Sequence, residues 1–273
     1  MVTALLAAAL AVAAPQPQPQ LESASPAMFV VRDADTTVYI FGTFHALDGK
    51  ADWFHDQVRS AFDSSNELVL ETLVPEGPVR PAAQPAFSIA APPPMRNLQL
   101  TTSASFLGTT RMAINAGRLQ GMRVDNGADN VLRHAAEAVG KPVEGLETLQ
   151  SQLNMFTRMP TAAAAPHAGE PVDNGDSNEA MAKLSSTMSA MQAAWKRGDQ
   201  SVFVNMLDQL RTASPDTYRV LFTERNARWA DWIAARMQTP GTVFVAVGAG
   251  HLAGKDSVLV RLAEQGIIST RLN

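Results

Sequence analysis

Cysteine is absent from this chain, which excludes a disulfide scaffold, a thiolate metal site, a cysteine nucleophile and a lipid-modified N-terminal cysteine. Runs of basic residues are missing too: Lys+Arg 22 against Asp+Glu 26 gives a net charge of −4, and no basic stripe is available to neutralise a phosphate backbone. Nucleic acid is therefore not an expected partner. No apolar run reaches the ~20 residues a helix needs to span a bilayer. Neither H-E-x-x-H nor G-x-S-x-G occurs, so neither a zincin nor an α/β-hydrolase is supported. Charged residues make up only 18% and aromatics 6%. What remains is 273 residues with 46% apolar content, enough for a sizeable core, and a mildly acidic enzyme or small-ligand binder as the expected class.

The longest apolar run opens the chain. Met1 to Ala14 (MVTALLAAALAVAA) ends in small residues and gives way to PQPQPQ. That pattern matches the hydrophobic core and cleavage zone of a secretory signal, with only the terminal amine as positive charge. Residues 1–14 are accordingly expected to be a signal peptide, residues 15–27 a flexible Pro/Gln-rich leader, and the protein periplasmic or secreted. Residues 28–273 form one expected domain.

MFVVRD from Met28, a polar turn at Asp33 to Asp35, and TTVYIFG predict a hairpin with a buried second arm. Trp53, Phe54, Val58, Ala61 and Phe62 recur at helical spacing over Ala51 to Asp63, and ELVLET comes next as a short buried strand. The order strand–helix–strand over Val38 to Glu71 predicts a βαβ unit and a parallel pair. Residues 75–94 are proline-dense and predict a long loop. Ser105 to Met122 and Ala128 to Val139 read as helices, KPVEGLET as a short strand, Thr148 to Met159 as a further helix, and residues 160–178 as a mobile connection. Three helices are expected over Glu179 to Gly198, Asp199 to Thr212 and Pro215 to Met237. TVFVAVG, a helix near Lys255 to Gln265 and IISTRL close the chain. The predicted fold is α/β: a mixed, largely parallel central sheet flanked by helices, with a helical segment before the last strands.

One local pattern occurs near each end. VYIFGTFH runs into Gly42 and presents His45; TVFVAVGAGH runs into Gly248 and presents His251. Ligands of open α/β sheets bind beyond the carboxyl ends of the strands, and a glycine there lets the imidazole face the crevice. A lone histidine after a strand is more often structural than functional. Two in the same setting, among only five histidines, shift the balance towards function. Glu71 ends ELVLET, where a buried carboxylate needs a partner. Two imidazoles and a carboxylate suit a divalent transition metal with an open position, which would make hydroxide available for hydrolysis. A salt bridge from Glu71 to Arg225 is an equal alternative. Glu147 repeats the strand-end acid, while spacing alone puts Arg225 and Asn226 on an exposed helical face.

Other features carry less. GAGHLAGKD fits neither a phosphate loop nor a dinucleotide turn with room for the rest of its domain. His55, His134 and His167 read as surface or structural residues, and Trp195, Trp229, Trp232 and the stretch Met181 to Met191 as helix packing.

Together the segments FGTFH (Phe41 to His45), LVLET (Leu68 to Thr72), AAEAVGKPVEGLET (Ala135 to Thr148), AWKRGD (Ala194 to Asp199), ERNARW (Glu224 to Trp229) and Val243 to Ile267 resemble the TraB/GumN family, whose relatives include the Tiki proteins. The resemblance implies an α/β fold similar to the erythromycin-esterase and haem-binding ChaN-like group, with two similar halves. It also implies a site built from the two Gly-x-x-His turns and the strand-end glutamate. Tiki proteins resemble metal-dependent proteases using manganese or cobalt, so the resemblance makes His45, His251 and Glu71 metal ligands, with zinc a further option, and Glu71 a ligand or general base. Glu147, Arg225 and Asn226 match family positions around that site, as catalytic or substrate-orienting groups. The proline-rich stretch, residues 160–178 and Asp256-Ser257 depart from the family pattern. The function expected is an exported metal-dependent hydrolase acting on a peptide or small-molecule substrate; the alternative is a non-catalytic periplasmic protein binding haem or another small ligand.

Overall fold

The structure is a computed structural model that describes residues 21–73, 112–157 and 174–273. The expected signal peptide, the loop at 75–94 and most of the connection at 160–178 fall outside those residues, as does His167. A six-stranded sheet runs β6-β5-β7-β3-β2-β8, with β2 (Met28–Arg32), β3 (Thr36–Thr43), β5 (Glu67–Thr72), β6 (Val143–Glu147), β7 (Gly241–Gly248) and β8 (Thr270–Arg271). β6, β5, β7 and β3 are parallel; β2 and β8 complete one edge antiparallel. A small second sheet pairs β1 (Glu22–Ser23) with β4 (Ala51–Asp52).

β7 is an almost unbroken apolar run because both of its faces are covered. Phe244 and Ala246 join one core with Phe41, Leu68, Leu70, Trp53 and Trp195. Val243, Val245 and Val247 join the other with Ile40, Val69, Trp229 and Ile233. The hairpin of β2 and β3 forms as expected, its turn held by Asp33, whose Oδ1 accepts from the Asp35 and Thr36 amides at 3.2 and 2.8 Å.

The βαβ expectation needs one correction. β3 and β5 do run in the same direction, but β7, from the far end of the chain, lies between them and pairs with both. Local patterning cannot report a strand inserted from elsewhere. The helix between them, α1 (Asp56–Ser64), also starts later than its periodicity suggests. Ala51 and Asp52 are in β4, and Trp53 is buried by stacking on Phe41 (centroids 5.5 Å apart) ahead of the helix.

A helical stretch over 112–119 (α2) leads to α3 (Ala128–Ala138), α4 (Leu149–Thr157), α5 (Asn174–Lys196), α6 (Ser201–Ala213), α7 (Pro215–Tyr218) and α8 (Glu224–Arg236), with α9 (Val258–Glu264) after β7. Two differences from the expected boundaries have simple causes. Residues 22–23 of the expected leader are pinned by β4, and the Ser25 amide donates to the Lys196 carbonyl at 2.8 Å. Residues 174–178 belong to the first turns of α5 rather than to a connection. Between α7 and α8 the chain makes a π-helical turn, Arg219–Thr223, a local irregularity of the kind found beside functional sites. Among the described residues, no helix is long and apolar enough to cross a membrane.

Candidate active site

The carboxyl ends of β3, β7 and β5 lie side by side, and Thr43 is the register partner of Gly248. Three side chains gather along this edge: His45 just past β3, Glu71 at the end of β5, and His251 in the 3-10 turn Ala249–Leu252 beyond β7. A Cβ built on Gly248 would lie 3.1 Å from Glu71 Oε1, 3.5 Å from His45 Nε2 and 3.7 Å from His251 Cδ2. Both rings and the carboxylate thus meet about one point.

That point explains the glycine. Gly248 has φ −53° and ψ 136°, a backbone any residue adopts, and neither Gly42 nor Gly248 has positive φ. The requirement is for space beside the backbone, not for a conformation that only glycine adopts. At Gly42 the crowding comes from Ala249 and from the Ala27 carbonyl (3.3 and 3.5 Å from a Cβ), and Trp195 Nε1 donates to the Gly42 carbonyl at 2.7 Å.

Each histidine has its far nitrogen held. His45 Nδ1 donates to Asp129 Oδ1 at 3.2 Å, since a carboxylate only accepts. Asn226 Nδ2 donates to the Asp256 carbonyl at 2.7 Å, which turns its Oδ1 towards His251 Nδ1 at 2.5 Å. His251 Nδ1 therefore carries the proton and Nε2 the lone pair. Phe222 and Trp229 pack at a tilt against the His251 ring, their centroids 4.8 and 4.5 Å from it.

Arg225 ties the acids together. Its Nε donates to both oxygens of Glu147 at 3.1 Å, Nη2 donates to Glu71 Oε2 at 3.0 Å, and Nη1 lies 3.3 Å from His251 Nε2. Glu71 Oε1 accepts from the Gly248 amide at 2.6 Å. The salt bridge that was the alternative for Glu71 is thus present. The exposed placement of Arg225 and Asn226 is corrected: they are 5% and 1% exposed. Their stripe on α8 continues through Trp229, Ala230 and Ile233, but its first turn is polar and carries no apolar signal. Glu147 takes a second cation, Arg228, at 3.2 Å, and reaches the histidines only through Arg225.

Burial works against charge on His251 more than the nearby Glu71 supports it, and with Arg225 and His45 adding to the opposition the ring falls to about 3. Glu71 goes down to about 2: desolvation opposes ionisation, but His251, Arg225, His45 and the Gly248 amide together favour the carboxylate. His45 rises to about 9: desolvation opposes charge, yet the hydrogen bond and charge of Asp129, then the charge of Glu71, outweigh it. With 62% of the His45 side chain open to water, screening softens that rise.

These shifts predict acid lability. His251 titrates at 6.5 when unfolded and near 3 when folded, so its contribution is full above pH 6.5 and lost as pH falls towards 3. Glu71 adds a second loss below its ordinary 4.5. The raised His45 acts oppositely, its contribution fading as pH rises from 6.5 through 9. In chelator-treated protein the Tm should fall steadily below pH 6.5, and His251→Gln should flatten the limb between 6.5 and 4.5. A parent Tm that stays level across that limb would contradict the assignment.

The site opens into a cavity of about 640 Å³ walled largely by apolar side chains, among them Ile114, Met188, Met191, Phe203, Met206 and Phe222. Met188 and Met191, expected to serve only helix packing, face this space. Of the residues singled out from the sequence, the structure brings together His45, Glu71, His251 and Arg225, with Asn226 and Glu147 bracing them. His55 lies elsewhere, paired with Asp56, and His134 with Glu137. Asp129 and Phe222 have no signal in the sequence, because each acts through a contact made in the fold.

A mixed α/β fold with two strand-end histidines and a buried carboxylate–guanidinium network defines a candidate enzyme or ligand-binding protein of this architecture. The profile of the TraB/PrgY/gumN family matches residues 27–104 and 94–271, and the chain belongs to that family. It is 30% identical over 149 residues to YbaP of Escherichia coli (strain K12) and to YbaP of Shigella flexneri, a match covering 54% of this chain and 52% of each relative. The matched segment thus spans about half the length of these relatives. No solved structure matches.

Proposed function

We propose that this chain is an exported, metal-dependent hydrolase that activates water between His45, Glu71 and His251 and acts on a peptide or another small carbonyl substrate. The observation that carries the reading is the meeting of both imidazoles and the Glu71 carboxylate about Gly248. The donor chemistry suits Mn²⁺, Co²⁺ or Zn²⁺. Both rings also have Nδ1 engaged by an acceptor, the support that orients a ligating imidazole through its other nitrogen. The fit is one of donor kind: among the described residues no group of three or more acidic or histidine side chains is already spaced as a metal cage, and Arg225 shares His251 Nε2.

A bound divalent ion would bring the pKa of water down to about 7 in favourable cases. The chain's own contributions are orientation and charge. Asn226 and Asp129 hold the rings, and Arg225 keeps the Glu71 carboxylate ionised and aimed. The Arg225 guanidinium is also the cation nearest to any negative charge developing on substrate beside Glu71. To test the reading, Mn²⁺, Co²⁺ and Zn²⁺ affinities are compared in the parent and the His45→Ala/His251→Ala double variant, with turnover of a mixed peptide library. The double variant should lose at least tenfold in affinity and all turnover; unchanged affinity would overturn the site.

The apolar cavity wall favours a second reading, a non-catalytic binding protein for haem or a similar ligand. A Soret shift on adding haem, without peptide turnover by the metal-loaded parent, would support it instead.

A further inference from the structure

Most buried polar groups of this molecule have partners. An exception lies in the wall of the candidate site. Thr43, the last residue of β3, is 2% exposed, and its hydroxyl has no hydrogen-bond partner among the described residues. Its neighbourhood is defined by register. Thr43 pairs laterally with Gly248 in the parallel β3–β7 ladder, and laterally paired residues project to the same face of a sheet. Adjacent strands lie ~4.8 Å apart, so the Thr43 side chain stands one strand spacing from the point where His45, Glu71 and His251 meet. Thr43 also lines the cavity.

Thr72, whose hydroxyl is likewise unpartnered, does not line it. Apolar residues dominate the rest of the wall, so a hydroxyl there is out of keeping with packing alone. A valine of the same shape would fill the position without burying an unpaired polar group.

We propose that Thr43 is a ligand-contacting residue of this cavity, its hydroxyl donating a hydrogen bond to a carbonyl oxygen of the bound substrate. This rests on the hydrolase reading for its consequence in turnover, though not for the contact itself. A carbonyl fits because the hydroxyl is neutral, can donate, and sits between the apolar wall and the charged edge. That is where the polar link of a ligand with an apolar body would lie. Donating to such an oxygen strengthens as negative charge develops on it, so the effect belongs mainly in kcat.

The test uses Thr43→Val and Thr43→Ser in the full chain. Thr43→Val should melt at the same temperature as the parent or higher, lose about 100- to 1000-fold in kcat, in line with loss of one oxyanion donor, with KM raised only a few-fold, and be restored to within a few-fold by Thr43→Ser. A Thr43→Val protein with parental kcat, or with a clearly lower Tm, would overturn the proposal; the second result would mean the hydroxyl serves the fold. Binding is read separately by titrating methyl-labelled protein with N-acetyl-leucinamide. The Thr43 methyl resonance should shift, and affinity should weaken in Thr43→Val. Absence of both changes overturns the contact. A parent that shows both yet cleaves nothing leaves the contact standing and removes the hydrolase reading.

Discussion

Arg225→Met is expected to lower the free energy of unfolding by about 3–5 kcal/mol, the range found when one member of a buried ion pair is removed. The side chain is nearly as long and covers the same face of Trp229, over which the guanidinium lies at 4.5 Å. What it cannot do is hold Glu71 and Glu147, which are both largely buried and both bonded to Arg225. Glu71 would retain the Gly248 amide, and Glu147 would retain Arg228, so the loss is large without being total. Arg225→Lys should recover little, because one ammonium cannot supply the planar fork that meets two carboxylates and His251 Nε2 together. Adding Glu71→Gln and Glu147→Gln to Arg225→Met should return part of the loss by removing the stranded charges. Urea unfolding of the three variants checks the order. A single Arg225→Met variant within about 1 kcal/mol of the parent would mean that these acids are hydrated, not buried.

The same network shows where the sequence speaks and where it falls silent. Strand runs such as VYIFG and TVFVAVG are legible because burial on two faces leaves them almost wholly apolar, and the helices from 179 to 236 because their apolar faces repeat. The order of strands is not legible. β7 enters between β3 and β5 from across the chain, and the cause is packing between segments that local periodicity never compares. The two Gly-x-x-His turns stand out by their repetition, and their convergence results from that inserted strand. Arg225 and Asn226 depart from expectation because polarity predicts exposure only where no buried partner waits. In this fold Glu71, Glu147, His251 and the Asp256 carbonyl supply the partners. Asp129, Thr43 and the methionine wall are ordinary residues until the fold sets them around a cavity. The family match over 27–104 and 94–271 agrees with the resemblance carried by FGTFH, LVLET and the later segments, and its spread along the chain mirrors how the site is assembled.

Gly248→Ala should separate the site from the scaffold most sharply. With φ −53° and ψ 136° the backbone accepts alanine, and a glycine-to-alanine change at a compatible position stabilises by about 0.4–1 kcal/mol through the unfolded chain. The new methyl, however, would stand 3.1 Å from Glu71 Oε1 and 3.5 Å from His45 Nε2, so the carboxylate has to move. The distance calls for a shift of a few tenths of an ångström, a fraction of the ~1 Å misplacement that lowers a rate by about 10²-fold. The expected result is therefore a protein that melts within a few degrees of the parent, binds divalent metal several-fold more weakly and turns over substrate about 10-fold more slowly. Gly42→Ala provides the contrast. Its methyl would press on Ala249 and the Ala27 carbonyl, neither of which carries chemistry, so it should lower Tm more than Gly248→Ala does. If Gly248→Ala kept parental metal affinity and turnover, the space beside that glycine would have no part in function, and the two histidines would be neighbours by packing alone.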